Sequence, residues 1–103
     1  MFKLNPNPTF NAKVQLSVPG QDKPVSVEIE YKHLSRPQIK KYFDGLEGKT
    51  DAEALSEIIL GWKGIDAEYD SDTLQALLDN YPTSGGELFE AFRKELMEAR
   101  RKN

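Results

Sequence analysis

The chain of 103 residues contains no cysteine. That excludes disulfides, thiolate nucleophiles, iron–sulfur clusters and every cysteine-based zinc site. A single histidine, His33, leaves no two-histidine metal motif and little material for a Ser–His–acid triad. No apolar run approaches the roughly 18–20 residues of a membrane-spanning helix, and the Met1 end shows no signal-peptide apolar region. A positive balance is missing as well. The formal net charge of −3 argues against a general nucleic-acid binder driven by phosphate neutralisation. The expectation is a soluble, reduced, intracellular protein with no membrane and no nucleic acid among its partners.

What is present is enough to fold. Five phenylalanines, four tyrosines and one tryptophan are too many for a segment that avoids collapse. The length suits one domain with one core. Charge is divided along the chain. Residues 1–43 carry seven Lys/Arg against three Asp/Glu, residues 44–99 carry four against fourteen, and Arg100, Arg101 and Lys102 close the sequence. A basic face and an acidic face on one small body suit a protein partner or self-association better than a polyanion.

Residues 1–9, with Asn5-Pro6-Asn7-Pro8, read as an extended arm, because proline removes donors and fixes φ. Residues 10–103 read as a single α+β domain. Phe10, Ala12, Val14, Leu16 and Val18 alternate with polar residues, and Val25, Val27, Ile29 and Tyr31 do so again after the Pro19–Pro24 turn. Period two on both sides of a Pro/Gly turn is an antiparallel hairpin, and its apolar face requires cover.

Four helical stripes supply that cover. Ser35 with Gln38 and Thr50 with Glu53 are capping-box pairs, and Leu34 and Ile39 form a hydrophobic staple around the first. Ile39, Tyr42, Phe43 and Leu46 follow at helical spacing. So do Leu55, Ile58, Ile59 and Trp62, ended by Gly61 and Gly64. Asp70 or Ser71 caps a third helix carrying Leu74, Leu77, Leu78 and Tyr81, stopped by Pro82. A fourth opens at Ser84-Gly85-Gly86-Glu87, carries Leu88, Phe89, Phe92 and Leu96, and is expected to run to Arg100 or beyond. The predicted architecture is an N-terminal antiparallel β-hairpin packed on a bundle of about four short helices.

Little in the sequence looks like chemistry. Glu28 and Glu30 share one face of a strand, but that is the water face. The alternating acids Asp66, Glu68, Asp70 and Asp72 fail the calcium-loop pattern, which needs Gly and Glu where Ser71 and Leu77 stand. Gly85-Gly86 lacks the strand and the Lys-Ser/Thr of a phosphate loop. No catalytic residue, metal ligand or cofactor is expected. Trp62 is the residue with two readings: packing at a helix end, or an exposed interface anchor of the kind tryptophan favours.

The block Ile58-Ile59-Leu60-Gly61-Trp62-Lys63-Gly64-Ile65-Asp66, followed by Tyr69, the Leu74–Leu78 stripe and Tyr81-Pro82, resembles the tail assembly chaperones of long-tailed bacteriophages and prophages. The segment Tyr31-Lys32-His33-Leu34-Ser35-Arg36 and the ending Arg100-Arg101-Lys102-Asn103 share that likeness. The resemblance implies a non-enzymatic factor of the host cytoplasm, absent from the mature virion. Its partners would be the tape-measure protein and the tail-tube protein, with self-association alongside. Trp62, Tyr69, Arg100 and Arg101 are the partner-binding residues it suggests. The alternative is a structural head–tail or tail component retained in the virion.

Overall fold

The computed structural model describes residues 1–98 of the chain. The first two strands, β1 (Thr9–Leu16) and β2 (Val25–Lys32), form the expected antiparallel hairpin, with Thr9 opposite Lys32 and Leu16 opposite Val25. Alternation places Ala12, Val14, Leu16, Val27, Ile29 and Tyr31 in the core. The other face carries Lys13 opposite Glu28, and Glu28 in turn opposite Lys63, so opposite charges stand side by side across the sheet.

Helices α1 (Arg36–Asp44), α2 (Asp51–Ser56), α3 (Ser71–Asn80) and α4 (Ser84–Met97) follow. The first three begin at side-chain caps. Ser35 and Gln38 bond reciprocally, as do Thr50 and Glu53. At α3 the choice falls on Asp70, whose carboxylate accepts from the Thr73 backbone while Thr73 Oγ1 accepts from Asp70 N–H. Gly85 is buried at the start of α4, where a Cβ would come within 3.0 Å of an Asp51 carboxylate oxygen and 3.6 Å of Leu78. Gly85 therefore serves close packing of α4 against α2 and α3, while Gly86 faces open space. Among the described residues that last helix runs to Met97, with Glu98 extended, and the expected continuation to Arg100 lies outside the described residues.

One element differs from the sequence pattern. The second helix does not continue to Trp62. It stops at Ser56, and Ile59–Lys63 forms a third strand, β3, antiparallel to β2 in the order β1-β2-β3. Ile59 faces Tyr31 and Trp62 faces Ile29, across a bulge. The bulge adds one residue, so positions three apart in sequence share one face of the sheet. That spacing imitates a helical stripe. Lys32 N–H donates to Ile58 O at 2.8 Å, so the open edge of the hairpin finds here the partner it lacked.

An aromatic cluster joins sheet to helix. Phe92 of α4 lies 5.4 Å from the Tyr31 ring, 6.3 Å from Phe10 and 6.1 Å from Tyr42. Tyr31 OH donates to Leu88 O at 2.8 Å, which satisfies the hydroxyl within the core. Burial pushes the Tyr31 hydroxyl far above its ordinary range, and Tyr42 follows from burial and the nearby Glu57 carboxylate. In the unfolded chain both ionise near pH ~10. Because the folded values are raised, their contribution is fully present below about pH 10 and is lost as pH rises toward the folded values. Melting followed by circular dichroism is expected to show stability falling above about pH 10. Tyr31→Phe should reduce that slope at a cost of about 0.5–1.5 kcal/mol at neutral pH. A wild-type protein indifferent to alkali up to pH ~12 would contradict the buried placement of both rings.

Candidate functional site

Two grooves stand out on the described surface. The first lies at the turn end of the hairpin and holds about 280 Å³. Leu16, Val25 and Val27 reach it from the strands, Val18 from the turn between them, Ile65 from the loop after β3, Leu77 from α3 and Tyr81 from the C-cap of α3. Asp66 stands on its rim. Val25, 45% exposed, shows that the apolar alternation of the strands outruns the helices that cover them. The pattern of the sequence contained this signal, since apolar residues persist on both flanks of the Pro19–Pro24 turn.

Trp62 and Tyr69, expected as partner-binding residues, come together at the loop that follows β3. Their rings meet edge to face at 5.0 Å, and Trp62 Nε1 donates to Ala67 O at 2.7 Å. Thr73 Oγ1 donates to Glu68 O at 2.8 Å. Gly64, at φ +90°, makes the reversal from β3 into the loop directly against Val27. Together these contacts hold the loop that carries Ile65 and Asp66, so the groove wall is built in advance. Tyr69 is shifted upward by burial and by the neighbouring Asp70 carboxylate. Arg100 and Arg101 lie outside the described residues.

The second groove is wider, about 650 Å³, and lies between α1 and the end of β2. Leu34 and Tyr42 supply its apolar lining above the buried Ile58, and its charged residues are Lys32, Lys41, Lys49, Asp44 and Glu57. Tyr42 OH is satisfied by Ala54 O at 2.7 Å, and Lys49 pairs with Glu57 at 2.5 Å. Lys32 and Lys41 make no ion pair among the described residues. Helix α1 contributes no fully buried residue and leaves Phe43 37% exposed, so it stands as a ridge beside the groove. Sequence reasoning missed this site, because its lining comes from three segments that no single periodicity links.

Among the described residues no group of three His, Asp or Glu could hold a metal ion, and no helix is long and apolar enough to cross a membrane. Both grooves combine apolar side chains with charged rims, a composition like that of protein contact surfaces. Over residues 1–103 the chain matches the family described as phage tail assembly chaperone, and it belongs to that family. No curated protein and no solved structure matches it.

Proposed function

We propose that this protein is a non-enzymatic chaperone that holds the phage tape-measure protein in the host cytoplasm, promotes assembly of tail-tube subunits around it, and leaves before the virion is complete. The wide groove beside α1 carries the reading. An amphipathic client helix would lay its apolar stripe on Leu34 and Tyr42, and acidic residues flanking that stripe would meet Lys32 and Lys41. An open, partly charged groove favours modest affinity with fast release, which suits a factor that must hand over its client. Trp62, Tyr69, Arg100 and Arg101 are proposed as further partner contacts, Trp62 and Tyr69 through the loop they brace.

The test is co-purification with helical fragments of the tape-measure protein. Reversing both exposed rim charges, Lys32→Glu with Lys41→Glu, is expected to weaken capture about tenfold or more with unchanged melting. Undiminished capture by a folded double variant would remove the groove from the proposal. Recovery of the chain as a stoichiometric part of purified virions would favour a retained structural component instead.

A further inference from the structure

Hydrogen-bond parity in the hairpin fixes what its outer edge offers. Pro8 O accepts from His33 N–H at 2.9 Å, which makes Pro8 and His33 a hydrogen-bonded pair. Along the same register, Phe10, Ala12, Val14 and Leu16 turn their backbone groups to β2, and Asn11, Lys13 and Gln15 turn theirs outward. β1 ends the sheet order β1-β2-β3, so no strand of this sheet meets that outward row. Ser17 continues the row, and its N–H donates to both Glu87 carboxylate oxygens at 3.2 Å. The outward backbone groups of Asn11, Lys13 and Gln15 have no such partner among the described residues.

Beside this row lies a third groove, of about 470 Å³, between β1 and α4. Gly86, where an added Cβ would meet open space, and the small Ala91 keep the α4 wall low. The rest of that wall is mostly acidic, with Glu87, Glu90 and Glu95 against Lys94. A strand edge on one side and a low helix on the other form a slot for an extended chain. A helix lying there would satisfy its own backbone and leave the outward row unpaired.

We propose that this slot takes an extended, basic segment of a partner protein, which adds to β1 as a fourth strand. Its backbone pairs with the outward groups of Asn11, Lys13 and Gln15. Alternation sends every second side chain to the α4 wall, where the stem of a lysine or arginine covers Ala91 and its head meets Glu87 or Glu90. The other side chains stand beside Asn11, Lys13 and Gln15 on the open face, where Lys13 favours neutral neighbours. A second copy is the poorer occupant. Two β1 edges brought together would set one acidic α4 wall toward the other and Lys13 toward Lys13. The slot is separate from the groove beside α1, and the inference does not rest on the function proposed for that groove.

The probe is a hexapeptide alternating lysine and threonine, blocked at both ends and titrated into the full chain. Amide resonances and hydrogen exchange report where it binds. In the free protein the N–H groups of Asn11, Lys13 and Gln15 should exchange fast while those of Ala12 and Val14 are protected, and the peptide should protect the first set. Replacing its lysines by glutamates should weaken binding about tenfold or more, and N-methylation of one alternate set of its amides should abolish binding. Lys13→Pro removes only an outward N–H, so a chain that keeps its melting curve should lose the peptide. Glu90→Lys should weaken binding about tenfold with the strand untouched, and it serves where Lys13→Pro fails to fold. No binding, shifts away from β1 and α4, equal binding of the glutamate peptide, or undiminished binding by either folded variant overturns the proposal. So does protection of Asn11, Lys13 and Gln15 that rises with the concentration of the free chain, which would give the edge to a second copy. Lys32→Glu with Lys41→Glu should bind the peptide as the wild type does, which separates this outcome from failure of the α1 groove.

Discussion

Val14→Asp is expected to abolish cooperative melting. Val14 is 2% exposed and stands opposite Val27, itself 5% exposed, on the face the helices cover. A carboxylate there has no cation within its layer and must ionise at a cost of several kcal/mol or take up a proton. Total stability for a chain of this length is about 5–15 kcal/mol, so one such change consumes much of it. The neighbouring Lys13→Ser, one residue away on the open face, should stay within about 0.5 kcal/mol of wild type. Near-ultraviolet circular dichroism during heating distinguishes the two. Equal behaviour of the pair would mean that the hairpin faces are assigned the wrong way round.

Phe92→Ala has the next largest expected effect. The ring is 1% exposed and touches Phe10, Tyr31 and Tyr42, so its removal leaves a cavity bounded by three aromatic side chains. Rings held on two strands and a helix close in poorly around such a space. The loss should be about 3–5 kcal/mol, which for a chain of this size lowers Tm by roughly 15–30 °C. Phe89→Ala, three positions earlier on the same helix and only half-buried, should cost distinctly less. Comparable losses for the two would place α4 on a different face against the sheet.

Much of the fold was legible because the signals are local. The strict alternation of Phe10–Val18 and Val25–Tyr31 needs no distant partner to be read, and both faces fall where period two puts them. Ser35 with Gln38 and Thr50 with Glu53 are equally local, since a capping box closes within four residues. The candidate sites were less legible. Trp62 and Tyr69 do meet, but their contact depends on a loop whose path the sequence does not spell out. The groove beside α1 draws Leu34, Tyr42 and Ile58 from separate segments.

The stretch around Ile58–Trp62 shows where local reading ends. Leu55, Ile58, Ile59 and Trp62 have helical spacing, and by itself that spacing favours a longer α2. Two β-branched residues and a glycine weaken the helix only modestly. The outer edge of β2 decides the matter, because its backbone groups lie against the core and need partners that solvent supplies poorly there. Ile59–Lys63 supplies them, and the bulge lets Ile59 and Trp62 keep their apolar faces inward while the chain changes from helix to strand. By itself, then, the amino-acid sequence determined the hairpin, its buried face and the helix starts, since each rests on contacts within a few residues. The tertiary structure alone decided the third strand, the braced loop and the groove beside α1, because hydrogen-bond demand at a sheet edge and the meeting of distant side chains exist only once the chain has folded.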